Sequence, residues 1–401
     1  MNELDALWAL LVAGAAALVL TPLAARLARR VGAVATPRDR DLHEAPTPRM
    51  GGLAILAGVL LAGALFLPGG KETRGVLLGA ATAALFGALD DKFDLPPAVK
   101  LAGQCLAAAI PVASDVYVET VTLPFVEPLN LSGFLFELAG VQVVLGMPLT
   151  LLGIVATMNV VNFTDGADGL AAGVCTIAAV SFAIIALSLQ RDAAGILAAL
   201  TAGAAAGFLW HNFHPASVFM GDSGSNLLGL LLAAVAIQGV LKTAAVVALF
   251  FPLVILAVPA LDATFVVAKR IKYRKPVYSA DRWHFHHRFA NIGFSQRKTV
   301  LYLYAWTISL AALALALRFV PYSEDSGKLN PGWTAVILAF AAVALAASIY
   351  LVVVLEILKF RRFRERQLRR ASETGEMEAL SEPEIRAEIE REVETGEFEA
   401  V

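Results

Sequence analysis

Two adjacent carboxylates, Asp90 and Asp91, close an apolar run and are followed by Lys92 and Asp94. At the C-terminal end of a helix, such a pair faces the negative end of the macrodipole and repels itself. A bound cation or a cationic substrate group is the natural compensation; a pair merely solvated at an interface is the plainer alternative. Further on, Asn159, Asn162, Asp165 and Asp168 recur every three residues. This spacing sets amides and carboxylates along one side of a helix end and a tight turn, which Gly166 and Gly169 allow the backbone to make. Asp222 stands between Phe219 and Asn226 among Gly221, Ser223, Gly224 and Ser225, small residues whose backbone amides can approach a phosphate or a metal-bound phosphate. Hard carboxylate oxygens suit Mg2+, which keeps waters and binds substrate phosphates as well. Phe219 is a candidate stacking surface for a flat base, an ordinary interfacial aromatic being the alternative.

A fourth group runs from Asp281 to Arg288 and includes Arg282, His284, His286 and His287. Three histidines this close could ligate zinc, but no cysteine or carboxylate supplies an obvious fourth ligand. Residues 269–298 also carry nine Lys or Arg. Such surroundings favour an anion, so this reads as a pyrophosphate-binding loop with Arg282 and Arg288 giving charge-assisted hydrogen bonds. Pro46-Thr47-Pro48-Arg49-Met50-Gly51-Gly52 forms a rigid turn, a weak signal alone.

The elements that must position these groups are membrane helices. The chain has 401 residues, 58% hydrophobic and 16% charged, against about 25% charged in an average soluble domain. Eleven apolar segments lie near 5–25, 51–68, 74–89, 97–113, 140–160, 168–189, 192–210, 225–240, 243–268, 299–318 and 333–358; a span needs roughly 20 apolar residues. The first is not read as a cleavable signal, since Glu3 and Asp5 precede it in place of a basic region. Residues 114–139 read as a loop with short strand-like or re-entrant pieces. The expectation is an all-α polytopic membrane protein of about 11 transmembrane helices. Residues 26–50, 90–100, 269–298 and the tail from Lys359 hold 26 of the 32 basic residues, which places the N-terminus outside and the C-terminus in the cytoplasm. All five polar clusters then share the cytoplasmic face, as one site would require. Cys105 and Cys175 sit in apolar runs and read as small buried hydrophobes.

The multi-span domain is expected over 1–358, a basic juxtamembrane segment over 359–370 and an acidic, largely disordered cytoplasmic tail over 371–401. That tail holds eleven Glu and two Arg. Within it, Ser381 to Glu384 has the form of a capped helix start.

Taken together, in this order, the five clusters resemble the polyprenyl-phosphate N-acetylhexosamine-1-phosphate transferase family, glycosyltransferase family 4, which includes the phospho-MurNAc-pentapeptide translocase. The resemblance implies that Asp90 and Asp91 lie near the metal and the lipid phosphate, with Asp94 as a third acid. It implies that Asn159, Asn162, Asp165 and Asp168 line the nucleotide site, that Phe219 stacks on uracil and that Asp222 ligates magnesium. His284, His286 and His287 would lie near the sugar diphosphate. The histidine loop and the Pro-x-Pro-Arg-x-Gly-Gly turn resemble the N-acetylglucosamine-1-phosphate branch, with undecaprenyl or decaprenyl phosphate as acceptor. Asp41 and Leu42, where relatives usually show a basic residue before His43, and Trp283, where many show Gly, depart from the pattern.

The expected reaction transfers N-acetylglucosamine-1-phosphate from a UDP-sugar to a polyprenyl phosphate with release of UMP, assisted by Mg2+ or Mn2+. It would be the first membrane step of a cell-wall or surface polysaccharide, in the plasma membrane. Another UDP-N-acetylhexosamine or UDP-MurNAc-pentapeptide is the alternative donor, and a transporter is the rival class. Transport is disfavoured because the acids sit at span ends rather than the midplane. No nucleic-acid partner is expected; a homodimer and a partner for the acidic tail are left open.

Overall fold

The computed structural model describes residues 3–35, 46–121, 129–138, 141–241, 255–272, 294–322, 329–350, 364–366, 368–369 and 381–395. Helices dominate: α1 (Glu3–Val31), α2 (Gly52–Phe66), α3 (Lys71–Phe93), α4 (Pro97–Ala113), α5 (Gly146–Thr164), α6 (Leu170–Ser188), α7 (Asp192–Asn212) and α8 (Gly221–Ala236), then α9 (Ala257–Lys272), α10 (Gln296–Phe319), α11 (Pro331–Ile349) and α12 (Glu382–Thr395). Among the described residues, six helices are long and apolar enough to cross a membrane: α1, α5, α6, α7, α10 and α11. Shorter apolar helices lie at Gly52–Phe66, Pro97–Ala113 and Ala257–Ala268.

The packing follows from small side chains. Ala6, Ala9, Ala13 and Ala17 form a buried stripe along α1; its backbone approaches Gly58 of α2 at Ala13 and Gly203 and Gly207 of α7 at Leu10 and Gly14, the small-residue packing that lipid-embedded helices favour. Thr21 Oγ1 donates to Ala17 O at 2.6 Å, one turn beside Pro22 within α1. The centre of the molecule lies between α6, α7 and α8, where Phe182, Phe208, Leu200, Leu227 and Leu228 are fully buried. At the periphery, Leu338 and Val343 of α11 are 63% and 65% exposed. Apolar surface left in water costs about 25 cal/mol per Å2, so such a face belongs in hydrocarbon. The protein is an all-α membrane protein with minor β structure.

Among the described residues, that β structure is three short antiparallel pairs. Val34–Ala35 pairs with Thr47–Pro48, and Thr120–Val121 with Leu129–Asn130. Leu135–Leu138 pairs with Val141–Val144 in the register Leu135↔Val144. The last hairpin takes up the first residues of the apolar segment expected over 140–160. Val141, Val143 and Val144 are β-branched and suit a pleated strand, and the helix begins only at Gly146. The expected helix start near Ser381 is present: Ser381 N donates to Glu384 Oε2 at 2.8 Å, the reciprocal half of a capping box. Its helix, α12, rests Ile385 and Ile389 on Leu368.

Candidate active site

Asp222 is held from several sides. It occupies the first turn of α8, a helix whose N-terminus has no side-chain cap of its own. Asp91, in the last turn of α3, supplies one from outside. Asp222 N donates to Asp91 Oδ1 at 2.8 Å, and Ser223 N to Asp91 Oδ2 at 3.2 Å. A carboxylate at these free N–H groups also meets the positive end of the α8 dipole. Gly221 adopts φ +70°, and a side chain there would run into the Asp91 carboxyl group, so this approach needs glycine.

The α3–α8 crossing is equally tight one turn earlier. A Cβ on Gly87 would strike the backbone of Asp222 and Ser223. Gly87→Ala is therefore expected to lower transfer and stability together. Overpacking a tight core costs about 1–3 kcal/mol, which the melting temperature in detergent would read alongside activity.

The Pro46–Gly52 turn clamps the same loop. Phe219 N donates to Pro48 O at 2.8 Å, Gly51 N to Phe219 O at 3.0 Å, and Gly52 N to Met220 O at 3.0 Å. A motif that reads weakly by itself thus holds the segment carrying Phe219, which is half-buried. It also brings Arg49 within electrostatic reach of Asp91 and Asp165.

The Asp222 carboxylate itself is partly open, with 29% of the side chain exposed. Asn162 Nδ2 donates to its Oδ1 at 2.9 Å and to Ser225 Oγ at 2.9 Å. Lys100 Nζ lies 3.7 Å from Asp222 Oδ2, 2.6 Å from Asp90 Oδ2 and 3.9 Å from Asp94 Oδ1. Asp90 Oδ1 also accepts from Leu95 N at 2.7 Å, which ties the carboxylate to the α3–α4 turn. Asp94 caps α3 in the left-handed region, with φ 50°, and its side chain is 90% exposed. Asp165 follows α5 directly. Packing that removes its water pushes the carboxyl group up to about 8, and the Asp222 and Asp91 carboxylates add to the shift while Arg49 opposes it.

Like Asn162, two further expected nucleotide-site residues, Asp168 and Asn159, have partners inside the protein. Asp168 Oδ2 lies 2.8 Å from His214 Nδ1 and accepts from Ala216 N at 3.1 Å. Beside it, Gly169 N donates to Asn212 Oδ1 at 3.0 Å, and Asn212 Nδ2 donates to Val218 O at 3.0 Å. This network fixes the connection that leads to Phe219. Asn159 Nδ2 donates to Gln104 Oε1 at 2.8 Å and Val155 O at 2.8 Å. Arg282, His284, His286, His287 and Arg288 lie outside the described residues.

Chemically, the arrangement is a crowd of carboxylates (Asp90, Asp91, Asp165 and Asp222) opposed by Lys100 and Arg49. Among the described residues, no three His, Cys, Asp or Glu side chains gather closely enough to enclose a metal ion. The donors fit a hard divalent cation that takes one or two carboxylate oxygens and completes its shell with water and phosphate, while Lys100 meets a phosphate as a point charge.

Comparison with known proteins identifies the scaffold. The model of the family described as glycosyl transferase family 4 matches residues 73–240, which include Asp90, Lys100, Asn162 and Asp222. The protein of Bacillus subtilis (strain 168) named "Probable undecaprenyl-phosphate N-acetylglucosaminyl 1-phosphate transferase" is 37% identical over 302 residues, covering 74% of this chain and 81% of the relative. The chain belongs to glycosyl transferase family 4. Another member, a decaprenyl-phosphate N-acetylglucosaminephosphotransferase of Mycobacterium leprae (strain TN), is 37% identical over 345 residues, 78% of this chain and 83% of that protein. A phospho-N-acetylmuramoyl-pentapeptide-transferase of Desulforudis audaxviator (strain MP104C) is 35% identical over 298 residues, 69% of this chain and 86% of its own.

In this family 4 chain, sequence reasoning passed over Lys100, Gln104 and His214, and named Arg49 and Asn226 only as members of their motifs. Lys100 reads as one more topogenic basic residue, and the available signal was its place in the first turns of a helix opened by Pro96-Pro97, soon after the acid cluster.

Proposed function

We propose that this chain transfers N-acetylglucosamine-1-phosphate from UDP-N-acetylglucosamine to undecaprenyl or decaprenyl phosphate and releases UMP. The observation that carries this reading is the identity to relatives named for that transfer over most of both chains, across a stretch that gathers Asp222, Lys100 and Asp90. An oxygen of the lipid phosphate attacks the β-phosphorus of the donor. The bond from that phosphorus to the bridging oxygen breaks, and UMP departs with the electron pair. The second pKa of a phosphate monoester lies near 6, so the acceptor needs no strong base at neutral pH. The work is positioning and charge neutralisation.

Lys100, oriented by Asp90, draws the reacting phosphates together. Asp222 would hold Mg2+, or Mn2+ in its place, and the ion when bound neutralises charge building on the leaving phosphate. Asn162 orients Asp222, and Asp91 holds the turn that carries it. Phe219 would stack on the uracil, Asp165 and Asp168 border the nucleotide, and Arg282, His284, His286, His287 and Arg288 would take the sugar diphosphate. Direct displacement is favoured over an aspartyl-phosphate intermediate because both candidate nucleophiles are engaged: Asp91 by two backbone N–H groups and Asp90 by Lys100 and Leu95. Eleven spans with the N-terminus outside put this site on the cytoplasmic face of the plasma membrane. The meeting of Asp91, Asn162 and Asp222 from α3, α5 and α8 supports the clusters sharing one face.

Purified protein in detergent, given UDP-N-acetylglucosamine, polyprenyl phosphate and Mg2+, should release UMP only when the lipid is present. EDTA should stop it and excess Mg2+ or Mn2+ restore it. Turnover that is insensitive to EDTA would remove the cation from the mechanism.

A further inference from the structure

Beneath Asp222 runs a chain of amide hydrogen bonds, in which Gln104 Nε2 also donates back to Asn159 Oδ1 at 3.4 Å. Asn159 Nδ2 of α5 donates to Gln104 Oε1 of α4 at 2.8 Å. Gln104 Nε2 donates to Asn226 Oδ1 of α8 at 2.9 Å. Asn226 Nδ2 then donates to the main-chain carbonyl of Asp222 at 2.9 Å. Gln104 and Asn226 are 9% and 6% exposed. The cavity that Gln104 lines with Asp90, Lys100, Asp222 and Asn226 is only about 10 Å3, the room of a single water.

The order of donors and acceptors matters. An amide has one donor end and one acceptor end. Asn159 holds the Gln104 oxygen toward α5, and the Gln104 NH2, shared with Asn159 Oδ1 at 3.4 Å, makes its shorter bond of 2.9 Å to the Asn226 oxygen, which turns the Asn226 NH2 onto Asp222. The first turn of α8 is then gripped at both its polar groups: its N–H groups by Asp91 and the Asp222 carbonyl by this relay. On α5, Asn162 follows Asn159 by three residues, so the same relay sets the helix whose next turn bonds the Asp222 carboxylate.

We infer that Gln104 is a positioning residue that sets the orientation of Asp222 through Asn226, and thereby the affinity for a divalent cation. The inference rests on the reading that Asp222 holds that cation.

The test is Mn2+ binding to the purified full chain, followed by electron paramagnetic resonance with UDP present and no lipid acceptor, so that no turnover occurs. Gln104→Met preserves volume and removes both ends of the relay. It is expected to weaken Mn2+ binding about 5- to 10-fold, to lower kcat by a similar factor and to leave KM for the UDP-sugar within about twofold. Asn226→Ala should weaken Mn2+ binding comparably, and the double variant should be no weaker than the worse single one, because residues acting along one path are not additive. Should Gln104→Met not fold, Asn226→Ala, which cuts the relay within α8, carries the binding test. If the wild type binds Mn2+ and a folded relay variant binds it equally well, or if the two effects multiply, the inference is overturned. If the wild type binds none, the metal reading of Asp222 fails instead.

Discussion

Asp222→Asn is expected to reduce UMP release on the order of 10^3-fold, about 4 kcal/mol of barrier, with little change in folding. Asparagine has nearly the same shape, and its Oδ1 still accepts from Asn162, as the carboxylate does at 2.9 Å. The cap of α8 involves the main-chain N–H of residue 222, not its side chain, so the helix start survives. What disappears is the charge: an amide neither holds a divalent cation between phosphates nor balances Lys100 at 3.7 Å. Initial rates at saturating lipid and UDP-sugar, read beside the melting temperature, check this. A folded Asp222→Asn protein with wild-type turnover would remove Asp222 from the chemistry.

Asp91→Asn should also be severe, for a different reason and with a different signature. Both oxygens of Asp91 accept N–H groups from the start of α8, and the side chain is 8% exposed. An amide in its place offers one acceptor and sets an NH2 against the other N–H. Hydrogen bonds to charged groups contribute about 1.5–3 kcal/mol, so stability should fall by roughly that amount. Transfer should fall on the order of 10^2-fold as the turn bearing Asp222 loosens, because small misplacements of a reacting centre cost about that factor. The pairing of lost stability with lost activity separates Asp91 from Asp222. An Asp91→Asn protein that is as stable as wild type yet inactive would place Asp91 at the reacting atoms instead.

Much of this architecture is legible in the sequence because lipid imposes a simple code. Long uncharged runs such as Leu170–Ser188 can be little but helix, and α6 follows that run closely. The acids at 90–91, 165 and 222 were legible for the converse reason, as polar groups out of place at the ends of apolar spans. Harder to read was which way each polar side chain turns. Asn159 and Asn162 are one helical turn apart and alike in type, yet one meets Gln104 and the other the Asp222 carboxylate. Asp168 follows the same spacing but meets His214, a partner 46 residues away. Contacts made across helices carry no local signal, and this is why the Asp91 cap on α8 and the Lys100 bridge emerge only from the fold. Strand-like structure at 135–138 lay within the loop expected to hold it, whereas the strand at 141–144 was obscured because β-branched residues suit a strand as well as the start of an apolar span.

In the proposed transfer the phosphate moves with the sugar. UDP-N-acetylglucosamine labelled with 32P at the β position, incubated with the purified protein and polyprenyl phosphate, separates the two ways of breaking the donor. The label should pass into the lipid fraction in step with release of unlabelled UMP. Label that stays in the aqueous phase as UDP while the lipid gains N-acetylglucosamine would contradict the account.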